Sequence, residues 1–247
     1  MKKGLVIPLI ISIVILMGIL VIFLVKGKDI FSNLKKNDPE IEKLVKIEKS
    51  EFSSFVFVTQ ESPSNHVINI NLTPFLTFNI SEKEIKSFNI SNFKATNTGD
   101  NEVILVHPTD LPIDTLSRTF LFTKQDDIKQ ENLKSSENSI EYIVTSEVKN
   151  FNEVANKDTV SPYFGVIIKN IASVDYKAIL ERDSIFDGAK YLEYSEISLN
   201  DLDSNIQFDI NIEFTDGKKY SKRFTTDIKG ESFKTETAPI FPISPVE

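Results

Sequence analysis

The sequence has no cysteine, no tryptophan and only two histidines among its 247 residues. Without cysteine, the chain forms no disulfide, no thiolate zinc site and no cysteine nucleophile. A folded domain must therefore be held by core burial alone, and 19 phenylalanines supply side chains for such a core. The 28 Lys and Arg are outnumbered by 36 Asp and Glu, and the resulting net charge of −8 argues against a nucleic-acid partner.

Charge is also absent from one long stretch, residues 4–25, which is rich in Ile, Leu and Val. A helix of this length reaches roughly 33 Å, enough to cross a hydrocarbon core about 30 Å thick. We therefore expect an N-terminal transmembrane anchor at 1–26, with the lipid bilayer as the partner of residues 4–25. A buried soluble helix and a cleaved secretory signal are the alternatives. The cleaved signal fits poorly because Leu24-Val25-Lys26 is a weak cleavage site.

The charges beside this stretch do not settle its orientation, because lysines stand on both sides of it. A short tail before an anchor usually stays inside the cell, and folded domains translocate largely regardless of flanking charge. We therefore expect the bulk of the chain on the extracytoplasmic side of the cell membrane.

Residues 27–50 are charged and mixed, and they predict a juxtamembrane stalk with a short helix. Asp38-Pro39-Glu40 is typical of a helix start, with a capping Asp and Pro at the first helical position. Ile41, Leu44 and Val45 then share one helical face.

From Glu51 onward, apolar residues alternate with polar ones, which predicts antiparallel strands. The clearest strand is Ile206 to Phe214, where every second residue is apolar. A one-residue slip in this alternation predicts a β-bulge near Ser91-Asn92. Further strands are predicted near Tyr176 to Leu180 and Tyr191 to Ile197.

Other strands are expected around Val103 to Val106, around Phe120 and Phe122, and around Ile140 to Val144, with a polar loop at 124–138.

Asp216-Gly217 marks a hairpin whose register follows from the apolar pattern. A three-residue loop, Thr215 to Gly217, sets Ile212 opposite Tyr220. It also puts Gly217 at the left-handed position that such loops require. A two-residue loop would place the apolar sets on opposite faces, so we predict the three-residue loop.

These patterns define a mainly β chain in which the anchor precedes one or two antiparallel β-sandwich domains. We place the first domain at 51–150 and the second at 160–232, with one larger two-sheet sandwich as the alternative. Phe93 to Leu105 has the order strand, turn at Asn97, strand, and Val166 to Ala178 repeats it around Asn170. This arrangement resembles tandem immunoglobulin-like modules of microbial surfaces, although it lacks the cysteine pair and core tryptophan of antibody-type domains. A proline-rich C-terminal tail at 233–247 completes the chain.

The tail carries Pro239, Pro242 and Pro245 at a spacing of three, which favours polyproline II and a disordered end. Such a segment could also engage an aromatic groove on a partner.

The sequence predicts no catalytic, metal-binding or cofactor-binding residue. His66 lies in a polar turn, and His107 precedes Pro108 with Asp110 nearby, but no second His or Cys accompanies either one. The sequence contains no G-x-S-x-G, H-E-x-x-H, P-loop or dinucleotide-binding motif. A Ser-His-Asp triad assembles across a fold, so it stays open at the level of sequence, but no residue is singled out for one.

Two further patterns predict modification or metal binding only weakly. Asp201, Asp203 and Asn205 have the alternating oxygens of a calcium loop, but Ile206 replaces its glycine and Ile212 its final glutamate. Three asparagines match the glycosylation pattern: Asn71, Asn79 and Asn89.

Lys2-Lys3-Gly4 before an apolar helix is similar to the start of a type IV pilin precursor. Leu9 stands where such precursors usually carry a glutamate.

The sequence thus predicts a non-enzymatic, single-pass membrane protein that displays β-sandwich modules and acts by binding, by adhesion or as a scaffold. Its expected partner is an unknown protein or a component of the cell envelope. A pilin-like or envelope-complex structural subunit is the alternative.

Overall fold

The computed structural model describes residues 37, 39–62, 65–81, 83–106, 133–143, 159–160, 164–175, 177, 179, 181 and 188–246. Within these residues, no helix is long and apolar enough to cross a membrane. The anchor predicted at 1–26 and the stalk as far as residue 36 lie outside the described residues.

The described chain is mainly β. Its helices are α1 (Pro39–Leu44) and α2 (Gly188–Tyr194), with two 3₁₀ helices, η1 (Leu199–Leu202) and η2 (Gly230–Lys234). The first strands are β1 (Lys46–Ser62), β2 (Asn65–Asn79), β3 (Ile85–Asn97), β4 (Glu102–Val106), β5 (Leu133–Ser136) and β6 (Ser139–Ile143). The remaining strands are β7 (Thr159–Val160), β8 (Gly165–Val174), β9 (Ser204–Phe214), β10 (Lys219–Ile228), β11 (Ile240–Pro242) and β12 (Ser244–Pro245).

The strands form two antiparallel sheets that pack as a β-sandwich. The first sheet has the order β11-β1-β2-β8-β4, with β7 beside β2, and the second has the order β12-β10-β9-β3-β6-β5. Both sheets therefore combine strands from before residue 150 with strands from after residue 160. The boundary between 150 and 160 does not separate two sandwiches, and the described strands form the single larger sandwich that was the alternative.

Aromatic residues from both halves of the sequence, before residue 150 and after residue 160, pack in one core. Phe208 of β9 lies 5.8 Å from the Phe224 ring of β10, 6.3 Å from Phe52 of β1 and 5.4 Å from Phe164. All four side chains are fully buried. Aromatic pairs at these separations add about 0.5–1.5 kcal/mol each beyond their buried area. One aromatic cluster thus joins both sheets and both halves of the sequence.

Helix α1 begins at Pro39, as the capping pattern predicts, but it belongs to the sandwich. Ile41 is fully buried in the core and Val45 is 5% exposed. Lys218 of the β9–β10 connection donates a 2.8 Å hydrogen bond to Glu40. Strand β1 follows at once, starting at Lys46 rather than Glu51. The stalk prediction is therefore wrong for residues 39–50, because their apolar face packs on the sheets.

The predicted hairpin is confirmed. Ile212 lies opposite Tyr220 and Phe208 opposite Phe224. The Phe214 N–H donates to the Lys218 carbonyl at 3.0 Å, which leaves a three-residue loop. Gly217 has φ +83°, the left-handed conformation that an L side chain rarely adopts.

The predicted bulge is also present. The register between β3 and β9 shifts between Ser91 and Lys94. Asn92 takes a left-handed φ of 52° at this point, which asparagine tolerates better than most residues. Its Nδ2 donates a 2.7 Å hydrogen bond to Asp209 of β9, so the extra residue is tied to the neighbouring strand.

Two predicted strands are helical instead. Lys177, Ile179 and Glu181 have helical conformation, and residues 188–194 form α2. In the second case the apolar residues 191, 192 and 194 follow a helical spacing rather than strict alternation. The polar loop predicted at 124–138 contains strand β5, which forms a hairpin with β6.

The strands predicted at Val103–Val106 and around Ile140 correspond to β4 and β6, whereas Phe120 and Phe122 lie outside the described residues.

The C-terminal tail is ordered against the sandwich, which corrects the prediction of a disordered end. Strand β11 pairs with β1, and β12 pairs with β10. Phe241 and Ile243 are 4% and 3% exposed. Burial of these two side chains between the sheets outweighs the preference of the prolines for an unpaired conformation.

Candidate binding cleft

One end of the sandwich gathers α2, η1, η2 and the β3–β4 turn. The turn is fixed to η1 by backbone hydrogen bonds. Thr98 N–H donates to the Asp203 carbonyl at 2.9 Å, and Gly99 N–H donates to the Asp201 carbonyl at 3.1 Å. Because these bonds use backbone groups, the path of η1 is fixed independently of side-chain rotamers.

Asp203 links η1 to η2 through both carboxylate oxygens. Oδ2 accepts from Lys229 Nζ at 2.9 Å, and Oδ1 accepts from the Gly230 N–H at 2.9 Å. The Lys229 hydrogen bond, and then that of Gly230, lowers the pKa of Asp203 below its ordinary value. The carboxylate is therefore ionised at neutral pH and braces the start of η2.

Gly230 allows a close approach that no other residue permits. A Cβ added at this position would overlap the Leu199 carbonyl group. The 3₁₀ helices η1 and η2 therefore pack backbone to backbone.

Helix α2 forms one wall of a cleft, and η1 and η2 form the wall opposite it. Tyr191 and Leu192 are each 2% exposed and anchor the helix to the core. The helix ends where Ser195 Oγ donates to the Leu192 carbonyl at 2.7 Å. Glu196 then takes a left-handed φ of 55° and its N–H donates to the Glu193 carbonyl at 3.3 Å, which turns the chain towards η1.

Between these walls lies a cleft of about 560 Å³. Its lining residues come from α2, from the segment leading into η1, and from η2 with the segment that follows: Lys190, Leu192, Glu193, Ile197, Leu199, Phe233, Lys234, Thr235, Glu236 and Thr237. Leu192 and Phe233 are almost fully buried and make an apolar floor, whereas Glu193, Lys234 and Glu236 are exposed at the rim.

The cleft therefore combines an apolar floor with charges of both signs. Such a lining suits a ligand that has an apolar group and polar groups of either charge, as a peptide segment does. The Thr235 hydroxyl donates to the Ser232 carbonyl at 3.3 Å, so its hydrogen already has an acceptor. Among the described lining residues there is no histidine that could act as a general base.

Two of the three residues of the calcium pattern are engaged by other groups of the protein. Asp203 is engaged by Lys229 and Gly230, and the Asn205 side chain donates to Asp227 at 2.8 Å. No group of three or more His, Cys, Asp or Glu within the described ranges could hold a metal ion.

His66 is not among the residues that line the cleft. His66 lies in β2, opposite Gln60 and Val174, rather than in the predicted turn. His107 and Asp110 lie outside the described residues.

The three asparagines of the glycosylation pattern lie in strands. Asn71 is fully buried and its Nδ2 donates to Thr73 at 2.8 Å, which leaves no room for a glycan. Asn79 donates to Glu48 at 3.1 Å, and Asn89 accepts from Asn211 at 3.2 Å.

A polar network on the outer face of the second sheet has a structural role. Arg223 Nε and Nη2 donate to Asp209 at 2.7 and 3.1 Å. Asp209 is 5% exposed and also accepts from Asn92 in the bulge. The hydrogen bond with Asp209 raises the pKa of Arg223. This network joins β3, β9 and β10 through their side chains.

Comparison with protein-family models, with curated proteins and with solved structures returns no match to this chain.

Proposed function

We propose that this protein is a single-pass membrane protein whose β-sandwich acts as a binding module on the extracytoplasmic side of the cell membrane. Residues 4–25 act as the anchor, and the cleft beside α2 and η2 acts as the binding site. The sandwich serves as an immunoglobulin-like display module, and its two antiparallel sheets are the architecture of such modules.

The membrane part of the proposal rests on the uncharged stretch 4–25, in which 17 of the 21 residues from Leu5 are Leu, Ile, Val or Phe. At the insertion scale of about 0.3–0.6 kcal/mol for each such residue, membrane insertion is favoured by several kcal/mol.

The binding part rests on one observation: an open cleft with an apolar floor and a charged rim is built on a rigid frame. Asp203 and the close approach at Gly230 fix the two 3₁₀ helices that shape it. Pre-organisation of this kind reduces the entropy that a site loses on binding.

Protease treatment of intact cells tests the placement. Protease should remove the β-sandwich from intact cells, whereas a cytoplasmic marker protein in the same cells should survive. A sandwich-sized fragment that stays protected until the cells are permeabilised would contradict the extracytoplasmic placement.

A peptide library displayed on phage tests the cleft, with the full chain in lipid nanodiscs as the target. Enriched peptides should bind at least 10-fold more weakly to the rim variant Lys234→Glu and to the cleft-blocking variant Thr235→Trp. A tenfold loss corresponds to about 1.4 kcal/mol.

Lys134→Glu is the matched control, because Lys134 is exposed on β5 and does not line the cleft. Peptides that bind the wild type and the Thr235→Trp variant equally would show that the cleft is not the binding site.

The alternative proposal, a pilin-like or envelope structural subunit, draws support from Lys2-Lys3-Gly4 directly before the uncharged stretch. Mass spectrometry of the mature N-terminus distinguishes the two proposals, because cleavage after Gly4 would favour the pilin-like subunit.

A further inference from the structure

The C-terminal segment, residues 239–246, contributes β11 to the first sheet and β12 to the second, and is called the C-terminal strand below. Residues 240–242 pair with β1, and residues 244–245 pair with β10. The side chains of Pro239, Phe241 and Ile243 are buried, and those of the residues between them point to solvent. The strand thus fills a groove whose walls are the edges of β1 and β10.

Hydrogen bonds to β1 define one wall of this groove. Ser54 donates to the Pro239 carbonyl twice, from its N–H at 3.2 Å and from its hydroxyl at 2.6 Å. Ile243 N–H donates to the Ser50 carbonyl at 2.9 Å. The wall therefore recognises mainly the backbone of the strand.

Hydrogen bonds to β10 define the other wall. Val246 N–H donates to the Arg223 carbonyl at 2.8 Å, and the Thr226 hydroxyl donates to the Pro242 carbonyl at 2.7 Å. Pro245 lies opposite Phe224, one residue before Val246, where an antiparallel ladder makes no hydrogen bond. Its missing N–H therefore costs no pairing with β10.

The connection to the groove is solvent-exposed. Residues 235–238, which join η2 to the buried Pro239, are all exposed. The groove contacts are made by the strand itself, so the same strand from a second copy would make every one of them. Exchange of identical terminal elements is a low-cost route to association for this reason.

We propose that the groove between β1 and β10 is a strand-acceptor site that exchanges its own C-terminal strand for that of a second copy. Reciprocal exchange gives a dimer, and exchange in one direction gives an open chain of subunits. A short linker holds its own strand at an effective concentration in the millimolar range, so exchange requires a comparable local concentration of copies. The inference therefore rests on the proposed anchor, which confines the copies to a membrane surface.

The absence of native cysteine makes this proposal directly testable by disulfide trapping. Ser53 and Ile240 lie opposite one another in the β1–β11 pair. They flank the hydrogen-bonded position of Ser54 and Pro239, so they form a non-hydrogen-bonded pair with Cα atoms about 4.5 Å apart. This separation suits a disulfide.

The experiment mixes two full-length variants, Ser53→Cys and Ile240→Cys, co-reconstituted at high density in phosphatidylcholine vesicles under mild oxidation. The control mixture replaces Ile240→Cys with Ser244→Cys, because Ser244 is also exposed but lies opposite Thr225 of β10. We expect at least 10-fold more covalent heterodimer from the first mixture than from the control. Equal yields, or no heterodimer in either mixture, would overturn the proposal.

Two further measurements separate the possible causes of failure. The double variant Ser53→Cys/Ile240→Cys should form the bridge within one chain, and its absence would overturn the groove register and with it the proposal. Flotation of the vesicles reports the anchor independently. If the chain does not float with the vesicles, the membrane proposal fails. In that case, the same two mixtures in solution at ~1 mM decide whether the C-terminal strands exchange between copies.

Discussion

Replacing Phe241 by alanine tests the C-terminal strand most sharply, because its neighbour provides an internal control. Phe241 is 4% exposed and its ring lies 5.9 Å from that of Phe233. Truncation of a buried phenylalanine costs about 3–5 kcal/mol, from lost transfer free energy and from the cavity left behind. In a domain of roughly 200 residues, each kcal/mol shifts Tm by ~2–4 °C, so Tm should fall by roughly 10 °C.

The assay is urea and thermal unfolding of the full chain followed by far-ultraviolet circular dichroism. Ile240→Ala is the matched control, because Ile240 is 56% exposed on the same strand and its truncation should change the free energy of unfolding by less than about 0.5 kcal/mol. Equal effects of Phe241→Ala and Ile240→Ala, or no effect of either, would refute the placement of the strand in the groove.

Two other perturbations follow from local contacts. Lys86 and Lys219 hydrogen-bond Glu213 and lower its pKa from 4.5 to about 2, so the folded state loses stability as pH falls through that window. Glu213→Gln should flatten this part of the stability-against-pH curve measured by urea unfolding, and parallel curves would contradict the prediction. Gly230→Ala places a Cβ against the Leu199 carbonyl, so it should destabilise the chain by more than about 1 kcal/mol in the same assay, and an unchanged midpoint would contradict the close approach.

The sequence was most informative where a local pattern determines a local conformation. The Thr215–Gly217 loop, the bulge at Asn92 and the helix start at Pro39 depend on nearby residues whose backbone preferences agree with the fold. Propensity and periodicity act over a few residues, so such features can be derived from a single sequence.

Tertiary packing decided the features that the sequence analysis missed. The tail from Pro239 has the composition of an unpaired segment, but the edges of β1 and β10 provide hydrogen bonds and burial that no local pattern reveals. Residues 160–232 were assigned to a separate domain because alternation restarts there, and periodicity does not report which strand pairs with which.

The cleft was not predicted from the sequence, for a different reason at each of its two walls. The strand predicted at Tyr191 to Ile197 is its α2 wall, and the helical spacing of Tyr191, Leu192 and Tyr194 is the signal that indicates the helix. Its η2 wall depends on the contact of Gly230 with Leu199 of η1, two residues that are far apart in the sequence, and such a contact leaves no signal in one sequence.

A double-mutant cycle between Phe52 and Phe208 tests most directly the central claim that both halves of the sequence share one core. The two rings lie 6.3 Å apart in an edge-to-face arrangement across the sheets. The single substitutions Phe52→Leu and Phe208→Leu and their combination should give a coupling free energy of about 0.5–1.5 kcal/mol in urea unfolding. Phe88, whose ring packs on Phe78 and Tyr142, should be additive with Phe52. Additivity between Phe52 and Phe208 as well would contradict the shared core.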